Sequence, residues 1–520
     1  PAVARAGPVP REVHSREVIG PEAHRRYRLS GRAPLVKALI WMPGREDLLV
    51  GVDVGTTMTK AAVVTPEGRE VSWGSVATPW RLVPTGAELG PLELLDAVAS
   101  AVSAALELAP EGRVAGLGVT SMAETVALLG PDGRPVAPSI AWHDSRGAEE
   151  TADLVSVFGE PTFSGKTGLA PSPVSTLVKL AWRSRHHLAA PTRALSVADW
   201  VVHALGADQV AEASLASRTG ALVLAGRRWW VEALEWAGVP ADVFPPVVQA
   251  GQLVGHVAEE ALSAWAWAGA AALHPSLARL LGAALASAGH DHICVAAGTG
   301  AIGPGTLLDS CGSAEALVRT VAPLDEEGLR RIVAAGMTAG WHTVPGRYSL
   351  LGGQALGLML GPVLRLLGVD DKGLEAFDAA ALGVAAGALR VVRDGPYAHP
   401  SVFCVGPDAS PAALWNAALD EAVEGSARVI RATEREAGPA DELVLTGGWS
   451  RLAGFRARKN RQLSQARFPE VVEAGARGAA LFGGCAAGLF TGPDAFPRPE
   501  EVAWAPAPPR PGVGGAQILR

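Results

Sequence analysis

The hydrophobic pattern of this chain becomes regular at Leu48. An apolar strand, Leu48 to Val54, runs into a glycine turn, and a second apolar strand reaches Val64. Pro66-Glu67-Gly68 supplies a hairpin turn, and a third strand is expected near Val71 to Thr78. Pro91 to Ala109 places Leu, Val and Ala at helical spacing behind an opening proline. Val114 to Met122 reads as a buried strand, and Ala123 to Trp142 as a hairpin around Pro131-Asp132-Gly133. Antiparallel strands feeding a helix and then more strands predict a layered α/β domain. The later half repeats the theme loosely. A strand and glycine turn fall at Asp309 to Ala316, a long helix at Pro411 to Glu436, a strand at Glu442 to Gly448 and a helix at Ala476 to Phe490. Two similar halves place a cleft between them, and ligands favour such interfaces.

The flanks differ. Residues 1–46 are rich in Arg, Pro and Glu and lack periodicity, so a disordered tail or an upstream-extended start is expected, with Met42 just ahead of the first strand. No apolar segment followed by a cleavage site marks a secretion signal there. Residues 493–520 are Pro/Gly-rich and are expected to be a poorly ordered tail. The most apolar stretch, Ala261 to Gly289, is Ala-rich, broken at His274-Pro275 and interrupted by Arg279, which predicts buried helices and not a membrane span.

Composition narrows the class. At 520 residues two or more cores are expected. Hydrophobic content of 48% and charged content of 19% fit a globular protein, and a net charge of −7 argues against nucleic-acid or anionic-membrane partners. Cys294, Cys311, Cys404 and Cys485 lack C-x-x-C spacing, which argues against a zinc or disulfide framework and for a reduced, cytoplasmic setting.

The first turn carries the strongest chemistry. Asp53, Gly55, Thr56, Thr57 and Lys60 bring backbone N–H groups, two hydroxyls and a cation to one point, as phosphate oxygens require. Asp53 stands where it can hold hydrated Mg²⁺. A strand and not a helix follows, so this is not a P-loop. Two further glycine turns follow apolar strands, at Gly312-Ser313 and at Gly447-Gly448 with Ser450. Three such turns suggest a nucleotide held between two halves, with Gly447 and Gly448 allowing close backbone approach to an adenosine. Asp291, in AGHDH, is a candidate proton acceptor for a hydroxyl nucleophile; a capping or metal-ligand Asp is the plainer alternative. His290 and His292 flank it without a further ligand cluster. Trp142 can stack on a sugar face and Glu124 can accept hydroxyl hydrogen bonds, although Trp142 reads equally as core and Asp144 as the partner of Arg146. Two segments are set aside as decoys: FSGKTG, Phe163 to Gly168, lacks P-loop spacing, and the GTG at Gly298 to Gly300 reads as the end of a helical turn.

Taken together, these motifs resemble the FGGY family of carbohydrate kinases, within the actin-like ATPase superfamily, over roughly Leu48 to Phe490. The resemblance implies two actin-like (ribonuclease H-like) domains with a nucleotide and substrate cleft between them. They would span 47–290 for sugar and phosphate and 291–492 for phosphate and adenosine. It implies ATP and Mg²⁺ as cofactors, with Asp53 holding the metal through water and Thr56, Thr57 and Lys60 on phosphate. It also implies Asp291 as catalytic base, Gly312-Ser313 as the second phosphate turn, and Gly447, Gly448 and Ser450 at the adenosine. Glu124, Trp142, Asp144 and Arg146 would contact a sugar or polyol. Two departures stand out: the family's G-E-R segment is missing after Pro396-Tyr397, and the Ala/Trp-rich stretch precedes AGHDH. The expected activity is ATP-dependent phosphorylation of a sugar hydroxyl, with a ketose such as xylulose first. The alternatives are an ATP-driven switch and a catalytically silent sugar sensor of the same superfamily. No membrane or nucleic-acid partner is expected, and a homodimer is left open.

Overall fold

The computed structural model describes residues 47–262, 275–312, 314–387, 389–392, 401–403, 410–462 and 466–501. The tail expected over 1–46, Ser313, Pro396-Tyr397 and much of the Ala/Trp-rich stretch lie outside the described residues.

The first sheet is built from β1 (Asp47–Val54), β2 (Met58–Val64), β3 (Glu70–Ala77), β4 (Arg113–Ser121), β5 (Gly255–His256) and β6 (Ala284–His290). Their order is β5-β6-β4-β1-β2-β3. β1, β2 and β3 form the expected antiparallel meander, and β4 and β6 lie parallel to β1 and to each other. Helix α1 (Pro91–Leu108) returns the chain across β2 and β3. A Cβ on Gly74 of β3 would stand 2.4 Å from Ala101 O, so only glycine permits that approach.

The turn expected at Pro131-Asp132-Gly133 forms: Leu129 bridges Pro135 antiparallel, Gly130 N–H bonds Arg134 O at 2.9 Å and Val136 N–H bonds Leu128 O at 2.9 Å. The other edge of Val126–Leu129 pairs with the distant Arg193–Ser196. One local reading changes. The Ala-rich stretch read as buried helices ends in the strand β6, where tertiary pairing with β4 overrides helix propensity. The Walker-like decoy is helix α2 (Glu160–Thr167), with Gly168 as its left-handed cap and Lys166 Nζ 4.6 Å from the Trp230 ring centre.

Helix α3 (Asp291–Thr299) follows β6 and ends at left-handed Gly300, so the GTG segment is a helix terminus. The second sheet contains β7 (Thr306–Cys311), β8 (Glu315–Val321), β9 (Thr338–Trp341), β10 (Tyr348–Gln354), β11 (Glu442–Thr446) and β12 (Ala466–Arg467), in the order β9-β10-β8-β7-β11-β12. β7, β8 and β10 repeat the antiparallel meander, and β11 lies parallel to β7 as β4 does to β1. Helix α4 (Pro411–Ala437) covers this sheet, and α5 (Ala453–Lys459) follows the turn after β11.

The last helix, α6 (Ala474–Ala486), crosses back to the first sheet and lies between its strands and α3. Backbone meets backbone there. A Cβ on Gly51 would stand 1.8 Å from Ala476 O, and one on Gly118 1.9 Å from Ala479 O. The segment expected to be a tail from 493 remains packed through Glu501. Phe496 is buried against Phe482 and Phe490, because this aromatic needs cover that the Pro/Gly content concealed. No helix among the described residues is long and apolar enough to cross a membrane.

Candidate active site

The register of the first sheet assembles the site. Asp53 lies one residue before the end of β1, opposite Lys60 on β2 and Thr120 on β4. Thr120 in turn faces Gly289 on β6 and donates to its carbonyl at 2.6 Å. Two residues on, Asp291 opens α3, so the strand ends bring the carboxylates of Asp53 and Asp291 into each other's field. Burial first, and then Asp291, push the Asp53 carboxyl up to about 7 against the opposing pull of Lys60. Asp53 Oδ1 is enclosed with no hydrogen-bond partner among the described residues. An orphaned, desolvated carboxylate oxygen beside a second carboxylate and a phosphate-type turn fits a hard divalent cation.

Asp291 accepts the His292 N–H at 2.7 Å, and His290 Nε2 lies 3.1 Å from its Oδ1. Burial opposes its ionisation, but the His292 and His290 imidazoles outweigh burial and hold Asp291 low, at about 2. It is therefore ionised, which leaves its oxygens free to accept a hydrogen bond, although the same stabilisation lowers its affinity for a proton. Burial lowers the His292 imidazole, which also feels Arg218 and Glu124.

The first turn is braced from outside. Gly55 N–H closes it onto Met58 O at 3.1 Å, and Thr78 Oγ1 donates to Gly55 O at 2.7 Å. Trp80 Nε1 donates to Thr56 O at 2.6 Å and Trp142 Nε1 to Thr56 Oγ1 at 3.0 Å. Trp142, expected against a sugar, thus braces the first turn, while Thr57 is exposed at its tip. Lys60 Nζ lies 2.7 Å from Glu473 Oε2 at the start of α6. Burial pulls the Lys60 pKa down, but Glu473 and Asp53 outweigh it and raise the value.

Glu124 adopts a positive φ of 61° and its carboxylate is held by Arg218, with Nε and Nη2 both 2.7 Å from Oε1. Arg218 Nη1 donates to Thr338 Oγ1 of β9 at 2.7 Å, which bridges the two halves. Sequence reasoning missed Arg218, since nothing local marks its partner 94 residues away. Asp144 and Arg146, expected at a sugar, bond each other. The Asp144 side chain is fully buried, bonded to Arg146 and Thr85, and Arg146 also pairs with Glu88, so their polar atoms serve each other.

The turns after β7 and β11 emerge side by side, because Ser310 and Thr446 are parallel neighbours. Gly312 N–H bonds Ala314 O at 3.0 Å. Gly447 has a φ of +93°, and a Cβ there would stand 2.5 Å from Cys311 O, so it needs glycine twice over. Gly448 opens a short 3₁₀ turn, Gly448–Arg451. Ser450, expected at an adenosine, is buried and donates to Gly447 O at 2.7 Å, so its hydroxyl shapes the turn.

Residues 48–270 match the N-terminal domain of the FGGY family of carbohydrate kinases. Gluconokinase of Bacillus subtilis is 25% identical over 485 residues, covering 86% of this chain and 89% of that protein. Xylulose kinase of Streptomyces rubiginosus is 28% identical over 479 residues, covering 88% and 92%. The solved xylulose kinase from Rhodospirillum rubrum superimposes with a TM-score of 0.74 at 23% identity, covering 88% and 95%; at that identity it shows the fold alone.

Proposed function

We propose that this chain, which belongs to the FGGY family of carbohydrate kinases and is a phosphotransferase with an alcohol acceptor, moves the γ-phosphate of ATP to a hydroxyl of a ketose such as xylulose. The observation that carries the reading is the juxtaposition of orphaned Asp53, Lys60 and ionised Asp291 at the strand ends of the first sheet. Mg²⁺ held at Asp53 would supply charge neutralisation for the phosphates. Asp291 orients the acceptor hydroxyl and takes its proton as the new O–P bond forms and the bond to ADP breaks. Lys60 exchanges Glu473 for phosphate oxygens, and the backbone turns at Gly55, Gly312 and Gly447 approach the nucleotide. Arg218 bridges the halves through Thr338 and so favours closure over the acceptor, which excludes water.

The choice of a neutral sugar rests on Arg218. Its guanidinium is engaged by Glu124 and Thr338, so a substrate carboxylate would have to displace Glu124, whereas a neutral hydroxyl can bond to the pair as it stands. The test is ADP release with Mg-ATP across ketoses, polyols and sugar acids. A ketose should give the highest kcat/KM. A sugar acid in first place overturns the substrate class, and ADP release independent of every acceptor overturns the kinase reading.

A further inference from the structure

A buried ionic cluster lies behind the two turns of the second half, and nothing in the reading above uses it. Lys459, the last residue of α5, is fully enclosed. Its Nζ lies 2.6 Å from Asp309 Oδ2, 2.5 Å from Glu315 Oε1 and 2.5 Å from Ser426 Oγ. Ser426, on α4, donates to Glu315 Oε1 at 2.7 Å, and Gln354 of β10 also bonds Glu315. Cys311 Sγ lies 3.1 Å from Asp309 Oδ1. Asp309, Cys311 and Glu315 stand close enough to share a metal ion, but the Lys459 ammonium already supplies the cation.

The cluster's place in the fold is specific. Asp309 and Glu315 lie on either side of the Gly312 turn, on β7 and β8, whose register pairs Cys311 with Glu315. Lys459 sits at the far end of the helix that follows the Gly447–Ser450 turn. The two turns touch through Gly447 and the Cys311 backbone. One ammonium therefore ties the roots of one turn to the helix behind the other, and to α4. A buried charged cluster stabilises no better than well-packed apolar side chains of the same volume. Its hydrogen bonds are directional, however, and specify the relative positions of the groups they join.

We propose that Lys459, with Asp309, Glu315 and Ser426, is the positioning device that sets the two nucleotide turns against each other and so governs affinity for ATP while leaving the acceptor site untouched. This rests on the kinase reading above.

The test compares the full chain with an uncharged variant of similar shape, Asp309→Asn/Glu315→Gln/Lys459→Met. Calorimetry with Mg-ATP and no sugar measures Kd, and steady-state kinetics separate KM for ATP from KM for the best acceptor of the panel. The folded variant should bind ATP about tenfold or more weakly, as misplaced contacts imply, with the acceptor KM within about twofold of the parent. Unchanged ATP affinity, or equal losses for both substrates, overturns the proposal. If the triple variant does not fold, Ser426→Ala keeps every charge and removes only the α4 tie. It should weaken ATP binding by about threefold with the acceptor KM unmoved, and an unchanged Kd overturns the proposal. A parent protein that binds no ATP defeats the kinase reading itself, a result separate from any ratio between variant and parent.

Discussion

Gly475→Ala places one methyl group against the expected metal site. Gly475 lies on α6, and a Cβ there would stand 2.2 Å from Asp53 Oδ2 and 2.9 Å from its Cγ. Carbon and oxygen atoms in contact rest at roughly 3.3 Å or more, so about 1 Å must be found. The helix has little room to retreat. It is wedged between the first sheet and α3, where a Cβ on Gly298 would meet Ala474 O at 1.9 Å and one on Gly478 would meet Cys294 O at 2.3 Å. Asp53 therefore moves, and a displacement of that size at a reacting centre costs about 10²-fold in kcat/KM, or about 2.7 kcal/mol. Helix propensity pulls the other way, because Ala is favoured over Gly in a helix by about 1 kcal/mol, which offsets part of the roughly 1–3 kcal/mol cost of overpacking. Activity and stability should thus separate: a melting temperature within a few degrees of the parent and a hundredfold fall in Mg-ATP-dependent turnover. Melting curves and ADP release on the two proteins side by side decide it. A raised melting temperature with parental kcat/KM would show that the helix absorbs the methyl group and that Asp53 is not confined by it.

Asp291→Asn should keep ATP affinity and lower kcat by about 10²-fold or more, and near-parental turnover removes it as the base. Lys60→Ala should weaken ATP binding and slow turnover, whereas Lys166→Ala, which loses only its contact with Trp230, should leave ATP binding unchanged; the reverse ranking refutes the placement of the nucleotide. The pH dependence has a definite sign. Because Asp53 is raised to about 7 in the folded protein, the stability its neutral form contributes is lost as pH rises through that value. A cation that binds the ionised form restores more stability at pH 8 than at pH 6. The Mg²⁺-induced rise in melting temperature should therefore grow with pH, and Asp53→Asn should flatten it; a pH-independent rise counts against Asp53 as the metal ligand.

Much of this fold could be read from periodicity. The helix expected at Pro91 to Ala109 spans Pro91–Leu108, and the strand expected at Val114 to Met122 spans Arg113–Ser121. Strand partners at long range could not be read. Val126–Leu129 pairs with Arg193–Ser196 as well as with its neighbour, and β6 is a strand despite its alanines because β4 is there to pair with it. The site divides along the same line. Asp53, Lys60 and Asp291 are motif residues whose chemistry is local, and the register brings them together. Arg218, Glu473 and Lys459 carry no local signature, since their meaning lies in partners 94, 413 and 150 residues away. The bonds of Asp144 to Arg146 and of Ser450 to Gly447 O could not be read either, because sequence does not show which polar groups partner one another.

The return of α6 to the first sheet also has a temporal side. Leu49, Ala62, Val64 and Ala115 form one buried group with Ala476 and Ala480 of that helix. During translation this face of the sheet leaves the ribosome long before its cover exists. At about 5–20 residues per second, the 413 residues between Lys60 and Glu473 take roughly 20–80 s to appear. For that interval an apolar, glycine-lined surface of a nascent sheet is open to other chains, and no cut between the two halves yields a first half with its own lid. A premature stop ahead of Ala474 leaves the glycine turns at Gly55, Gly312 and Gly447 in place on a chain without the helix that covers this face.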